Sequence, residues 1–61
     1  QPLSPELVGR EGIAETVLRP SGKVVIDGTS YDAVALGAMI AKGARIVVAK
    51  IESSQLYVKA F

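Results

Sequence analysis

The fold of this chain is decided by residues 18–28, which read LRPSGKVVIDG. Pro20 fixes φ for a turn, and Gly22 permits backbone conformations that are closed to residues with a Cβ. Val24 and Ile26 lie two positions apart, which is the period of a strand that buries one face. The stretch therefore predicts a turn that leads directly into a strand.

The same stretch ends in a hairpin signal. Asp27 and Gly28 form the dipeptide most typical of two-residue hairpin turns. After the turn, Thr29–Ala35 continues the alternation of apolar residues as a second strand. We expect Asp32 on the solvent face, in an exposed ion pair with Lys23 that contributes less than about 1 kcal/mol.

The apolar alternation, together with the turn signals that separate the alternating segments, predicts five strands. They are Ile13–Leu18, Lys23–Asp27, Thr29–Ala35, Arg45–Ile51 and Gln55–Lys59. In the first strand, Ala14, Thr16 and Leu18 share the face assigned to the core. The turn between the last two strands lies at Glu52–Ser54.

The fourth and fifth strands carry the most regular apolar pattern. Their inward residues are Ile46, Val48, Leu56 and Val58. Ile51 falls three positions after Val48, so it breaks the alternation. A bulge near Ala49 and Lys50 would return Ile51 to the core and add the bend that a small barrel needs.

The beginning of the chain predicts a lead-in to the first strand. Gln1–Pro5 contains two prolines, which oppose helix and ladder pairing, so an extended segment is expected, with a short edge strand as the alternative. Gly9 and Gly12 follow it. A phosphate-binding loop would need a third glycine and a helix after it. A strand follows instead, which indicates that these glycines bend the chain or let two backbones approach closely.

Residues 32–43 favour either a strand or a helix. Asp32 could cap a helix and Gly43 could end it. The hairpin that precedes this segment, however, requires a partner strand at once. We therefore expect the strand to run to about Ala35, followed by at most one short helical turn near Ala38–Ala41.

Five short strands in 61 residues predict an all-β fold, a small five-stranded barrel. With a helical turn between strands 3 and 4, the oligonucleotide/oligosaccharide-binding (OB) fold fits best, and an SH3-like barrel is the alternative. We divide the chain into a lead-in over residues 1–6 and a single domain over residues 7–61. Because the chain begins with Gln1 rather than Met, we expect it to be a fragment of a longer protein.

The composition excludes several kinds of site. There is no Cys and no His, which removes disulfides, thiolate chemistry, most zinc sites and the usual general base at neutral pH. The net charge is +1, from seven basic and six acidic residues, without a basic block along the sequence. The mean hydropathy is +0.36. No apolar run approaches the roughly 18 residues of a membrane span.

Several short motifs together resemble the C-terminal soluble domain of the NfeD family. They are LVGREG at residues 7–12, LRPSGKV at 18–24, IDG at 26–28, YDAV at 31–34, IAKG at 40–43 and LYV at 56–58. The resemblance covers nearly the whole chain from Leu7 onward. LRPSGK, IDG and YDA are specific in combination, although each motif alone is weak.

The resemblance implies an OB barrel carried at the end of a membrane protein. In that family transmembrane helices precede the barrel, and longer members carry a ClpP-class serine protease domain before those helices. Members are often encoded beside stomatin-like proteins of the prohibitin superfamily, and some are described as regulators of membrane protease activity. We therefore expect a membrane-anchored parent protein, a soluble domain at the membrane surface and a stomatin- or prohibitin-like partner.

The residues themselves point away from catalysis, from a metal site and from a cofactor. Ser21 and Lys23 are near enough in sequence for a dyad, but Ser21 is explained as a turn residue. Asp27 and Asp32 flank one hairpin and supply too few ligands for a metal ion. Lys42 is not at the hairpin tip that a biotinyl or lipoyl carrier requires. We expect a non-enzymatic chain without a cofactor.

Single-stranded nucleic-acid binding is the alternative function, because OB folds often perform it. Such sites stack bases on aromatic side chains in a basic groove. Here Tyr31 faces the core and Phe61 is terminal, which leaves Tyr57 as the one well-placed platform. Since the charge is nearly balanced and fold alone does not imply function, nucleic acid is not the expected partner.

A protein-interaction module is the function that the sequence favours. If the inward residues fill the barrel, four valines point outward: Val17, Val25, Val34 and Val47. Clustered on one wall, they would form an apolar patch for a partner or for a second copy of the chain. Scattered β-forming residues without a partner are the alternative. The exposed cations of the opening stretch, Arg19 and Lys23, are further candidate contacts.

Overall fold

The computed structural model describes residues 4–61, so the part of the predicted lead-in at residues 1–3 lies outside the described residues. Five strands make up most of the fold: β1 (Glu11–Ala14), β2 (Ser21–Ile26), β3 (Thr29–Ala35), β4 (Arg45–Glu52) and β5 (Gln55–Ala60). A short 3-10 helix, Pro5–Leu7, precedes them. None of the described residues lies in a helix long and apolar enough to cross a membrane.

The strands close into a barrel in the order β1-β2-β3-β5-β4, with β4 pairing back onto β1. β3 and β5 are parallel, and each other neighbouring pair is antiparallel. This strand order is that of the OB fold. The predicted all-β, five-stranded OB barrel is confirmed, and the SH3-like alternative is wrong.

The core fills the barrel with aliphatic side chains. The buried residues are Ala14, Leu18, Val24, Ile26, Ala33, Ala35, Ile40, Ile46, Val48, Leu56 and Val58. Each residue that the alternation assigned to the inside of β2, β4 and β5 is among them. Tyr31 and Ile51 are partly buried and pack against this cluster. The two-residue period of the sequence therefore identified the buried face of these strands.

Both hairpins turn where the sequence predicts. Asp27 and Gly28 have positive φ angles of 51° and 77°. Ser53 and Ser54 connect β4 to β5 in the same way, with φ angles of 53° and 61°. Two successive residues with positive φ match the right-handed twist of the flanking strands, so they allow a two-residue connection.

The predicted bulge in the fourth strand is confirmed. The register between β4 and β5 shifts between Val48 and Lys50, which leaves Ala49 as the extra residue. Because the extra residue reverses the alternation, Ile51 returns to the core side of the barrel and packs there.

β1 ends earlier than the predicted strand, Ile13–Leu18. The backbone N–H groups of Glu15 and Thr16 both donate to the carbonyl oxygen of Lys23, at 2.8 and 3.3 Å, so two residues face one and the strand bends. Thr16 is exposed, not part of the core, and its hydroxyl oxygen accepts the N–H of Lys23 at 3.1 Å. Leu18 is buried, as predicted.

The helical turn expected near Ala38–Ala41 does not form. Ile40 instead makes an antiparallel bridge with Leu18, in which the N–H of each residue donates to the carbonyl of the other, at 3.1 and 2.9 Å. Since both backbone groups of Ile40 bond to a distant segment, they are not available to a local helical turn.

The 3-10 helix corrects the predicted lead-in. Pro5 begins this helix and does not continue an extended segment, because proline suits the first helical position. The side chain of Ser4 caps it by accepting the N–H of Glu6 at 3.3 Å. Leu7, at the end of the helix, packs against the core.

Two glycines are required by close packing. A Cβ on Gly12 would overlap the carbonyl oxygen of Val25, and a Cβ on Gly22 would overlap the side chain of Leu18. The prediction that Gly12 lets two backbones approach is confirmed. Gly22 lies within β2 without a positive φ, so its role is to leave space and not to provide a special conformation.

Candidate interaction surface

The predicted ion pair between Lys23 and Asp32 forms on the outer face of β2 and β3. The two residues are cross-strand partners, and Nζ of Lys23 lies 2.6 Å from Oδ1 of Asp32. The hydrogen bond from the ammonium, and then its charge, lower the pKa of the Asp32 carboxyl from its ordinary value. The same bond and the charge of Asp32 raise the pKa of the Lys23 ammonium.

Lys23→Met is expected to raise the pKa of the Asp32 carboxyl toward its ordinary value of 3.8. In the wild type the folded-state pKa lies below the unfolded one. The pair therefore stabilises the barrel above the unfolded-state pKa, and this is lost as the pH falls through the folded-state pKa. The change in stability is small because both groups are exposed.

An NMR titration of the side-chain carboxyl carbons measures this shift. Lys50→Met is the control, because Lys50 pairs with Glu52 at 2.9 Å and not with Asp32. An equal change in the pKa of Asp32 in both variants would contradict the assignment of Lys23 as its partner.

Lys23 is poorly suited to a catalytic dyad with Ser21. A lysine base needs a lowered pKa to act near neutral pH. Asp32 has the opposite effect on Lys23. Within residues 4–61, no group of three or more acidic side chains comes together to hold a metal ion.

A groove of about 440 Å³ runs along the outer face of β2 and β3. Lys23 and Asp32 line it together with Val34 and with Gln55 at the start of β5. Of the predicted contact residues, the groove brings together only Lys23 and Val34. Because Asp32 neutralises Lys23, the pair offers no net charge to an anionic ligand.

The outward valines do not form one patch. Val25, Val34 and Val47 are half-buried and lie on β2, β3 and β4. No two of them are cross-strand partners. Val47 lies between Glu11 and Lys59, so charged side chains flank it. These valines are therefore not adjacent to one another on the outside of the barrel.

A continuous row of outward side chains crosses β2, β1 and β4. Val25 is opposite Ile13, and Ile13 is opposite Arg45. The backbone N–H of Phe61 bonds to the carbonyl of Arg45 at 2.9 Å, which extends the row. We name Val25, Ile13, Arg45 and Phe61 the β1 row. Ile13 is 44% exposed and Phe61 67%, so the row presents one aliphatic and one aromatic side chain to solvent.

Arg45 is held in place within the β1 row. Its guanidinium carbon lies 5.1 Å from the centre of the Phe61 ring, and its Nη2 lies 3.1 Å from Oε1 of Glu11. The cation–π contact and the ion pair act on the same group and favour one orientation. An arginine positioned in advance beside exposed apolar side chains is typical of protein interfaces.

Of the β1 row, only Val25 is a predicted contact residue. Ile13 could have been found from the alternation in the first strand. Ala14 faces the core, so its neighbour Ile13 is predicted to face outward. Arg45 and Phe61 give no comparable signal, because their place beside Ile13 depends on the pairing of β4 with β1.

Arg19 and Tyr57 are not part of the β1 row. Arg19 is exposed in the connection between β1 and β2. Tyr57 is half-buried, and Nζ of Lys50 lies 5.1 Å from the centre of its ring. The ring named as a stacking platform for bases is therefore already in contact with a lysine.

The barrel resembles two solved structures. The C-terminal domain of stomatin operon partner protein 1510-C from Pyrococcus horikoshii matches with a TM-score of 0.89 and 22% identity, over 100% of this chain and 97% of that one. At this identity the likeness shows the fold alone. The soluble domain of a membrane protein implicated in regulation of membrane protease activity, from Corynebacterium glutamicum, matches with a TM-score of 0.78 and 27% identity, over 90% of this chain and 94% of that one.

The sequence matches a family and a curated relative. The relative is membrane protein NfeD1b of Bacillus subtilis strain 168, which is 41% identical over 54 residues, or 88% of this chain. The chain spans only 12% of the length of that relative. The family described as NfeD-like C-terminal, partner-binding domain matches residues 4–59. The chain therefore belongs to the NfeD family, in the part that forms its C-terminal, partner-binding domain.

Proposed function

We propose that this chain is the non-catalytic docking domain of a membrane-anchored NfeD-like protein, and that its partner is a stomatin- or prohibitin-like membrane protein. In this role the domain lies at the membrane surface and takes part in the regulation of membrane proteolysis. The observation that carries the proposal is the β1 row, which exposes Ile13 and Phe61 beside a positioned arginine.

The relatives support separate parts of this proposal. The family is described as partner-binding, which favours docking over catalysis. One structural neighbour is part of a stomatin operon partner protein, and another belongs to a membrane protein implicated in regulation of membrane protease activity. The curated relative is a membrane protein. Together they favour a membrane setting and a stomatin-like partner.

The composition of the β1 row favours a protein as the ligand. Aromatic residues and arginine are enriched in the parts of protein interfaces that contribute most binding energy. Phe61 and Arg45 supply one of each, and Ile13 lies next to Arg45 on the neighbouring strand. The carboxylate of Glu11 holds the guanidinium, so less conformational freedom is lost when a partner binds.

Ile13→Thr is expected to weaken binding of the stomatin-like partner at least about fivefold, because we assign Ile13 to the minority of interface residues whose truncation costs more than about 1 kcal/mol. Threonine keeps the β-branched shape that suits β1, so the fold is retained. Calorimetric titration against the purified stomatin-like protein of the same organism measures the affinity.

Val8→Thr is the matched control, because Val8 is 48% exposed but lies outside the β1 row. Unchanged affinity in Ile13→Thr, or an equal loss in Val8→Thr, would contradict docking through the row. Light scattering over a dilution series tests the competing occupant, which is a second copy of the chain. A dimer that Ile13→Thr abolishes would assign the row to self-association.

A further inference from the structure

The charges of the barrel are neutralised unevenly. Four ion pairs join Arg10 to Asp27, Lys23 to Asp32, Arg45 to Glu11 and Lys50 to Glu52. The remaining cations, Arg19, Lys42 and Lys59, form no ion pair within residues 4–61. Residues 16–20, 35–44 and 57–61, which contain these cations, include no Asp or Glu. The β1–β2 connection, the β3–β4 connection and the last residues of β5 therefore carry cations without an ion-pair partner among the described residues.

Two exposed aliphatic side chains lie among these cations. Leu36 is 39% exposed, and its N–H bonds to the carbonyl of Val58 at 2.8 Å, which places Leu36 beside Lys59. Met39 is 59% exposed, and it precedes the residue that bridges to Leu18. Because the bridge between Leu18 and Ile40 is antiparallel, the residue before Ile40 lies opposite the residue after Leu18. Met39 therefore lies beside Arg19.

The connection between β3 and β4 contains Leu36, Met39 and Lys42, and all three are exposed. The chain turns sharply at residues 41–44, where the N–H of Ala44 bonds to the carbonyl of Ala41 at 3.1 Å. Lys42 therefore lies within a tight turn. Small residues make up most of the rest of the connection. We name Arg19, Leu36, Met39, Lys42 and Lys59 the loop-end patch.

We propose that the loop-end patch binds the surface of an anionic lipid bilayer. Leu36 and Met39 enter the headgroup region, and the three cations contact lipid phosphates. Cations that have no ion-pair partner in the described part of the chain and flank exposed aliphatic side chains have the charge and the polarity that such a surface requires. Protein interfaces instead centre on aromatic residues seated in pockets, which the patch does not provide. The patch shares no residue with the β1 row, so this binding goes beyond the proposed docking function.

Sedimentation with sucrose-loaded vesicles tests the proposal on this chain. Vesicles of phosphatidylglycerol and phosphatidylcholine in a one-to-three ratio are compared with pure phosphatidylcholine. We expect weak, reversible binding to the anionic vesicles only, with an association constant no greater than the roughly 10⁴ M⁻¹ of one myristoyl chain. This binding is expected to fall steeply as salt is added.

Arg19→Gln and Lys42→Gln are each expected to weaken vesicle binding about fivefold, which corresponds to about 1 kcal/mol for one cation near an anionic bilayer. Met39→Ser is expected to weaken it as well. Lys50→Gln is the control for charge, because Lys50 is paired with Glu52, and Val8→Ser is the control for an exposed apolar side chain.

Equal binding to both kinds of vesicle, or equal losses in the controls, would overturn the proposal. Poly-L-glutamate is the probe for the alternative ligand, which is an acidic protein segment. The lipid proposal is wrong if poly-L-glutamate binds the wild type but not Arg19→Gln, while the anionic vesicles do not bind the wild type. In that case the patch recognises an acidic protein. Ile13→Thr leaves the patch intact, so failure of the docking function does not affect this test.

Discussion

Gly12→Ala is expected to destabilise the barrel by about 2–4 kcal/mol. The added Cβ would overlap the carbonyl oxygen of Val25 and lie 2.8 Å from Cγ1 of Ile26. Both neighbours belong to β2, whose backbone cannot move aside without disturbing its ladder with β3. A domain of this length has a stability on the order of 3–9 kcal/mol, so much of it would be lost.

Urea unfolding followed by circular dichroism measures this effect. Gly9→Ala separates collision from backbone strain, because Gly9 has a φ of 91° but no atom within 4 Å of the added Cβ. Its expected cost is about 1–2 kcal/mol. If Gly12→Ala costs no more than Gly9→Ala, close approach to β2 does not explain the glycine.

Leu18→Ala is the second change with a large expected effect, a loss of about 3–4 kcal/mol in the free energy of unfolding. Leu18 is fully buried, although it lies in a connection and not in a strand. Its side chain packs against Gly22 and fills the place that a Cβ on that residue would occupy. Truncation to alanine therefore creates a cavity that the rigid strands cannot close.

Leu36→Ala removes the same atoms from a side chain that is 39% exposed. Its expected cost is below about 1 kcal/mol, because less apolar surface leaves a buried environment. The same urea titration compares the two variants. Similar losses in both would show that Leu18 is not a core residue.

Local signals predicted much of the fold. Asp27 and Gly28 specify their turn because both residues tolerate positive φ, and the broken alternation at Ile51 reveals the bulge at Ala49. Each of these features depends on neighbours within a few positions. Their physical cause is therefore visible in the order of the residues.

The errors arise where distant segments compete with local preference. The alternation assigns Thr16 to the core, but its hydroxyl accepts the N–H of Lys23 and the strand bends there. Ile40 reads as part of a helical turn, but it bridges to Leu18. Neither partner is implied by local composition, because each contact depends on the path of the chain around the barrel.

The candidate surface shows the same division. Alternation placed Val25, Val34 and Val47 on the outside, where they are. It could not show which of them are adjacent, since adjacency depends on strand order. The β1 row exists only because β4 pairs with β1, which brings Arg45 beside Ile13.

The position of β4 between β1 and β5 has a consequence for synthesis of the chain. β2 and β3 can form their hairpin as soon as they leave the ribosome, because one two-residue turn joins them. β1 must wait until residues 45–47 have been made before its other edge is covered. Pairings between distant residues form slowly, and apolar strands exposed meanwhile are prone to aggregation. Nascent chains that stall before β4 are therefore the form of this domain that most needs a chaperone.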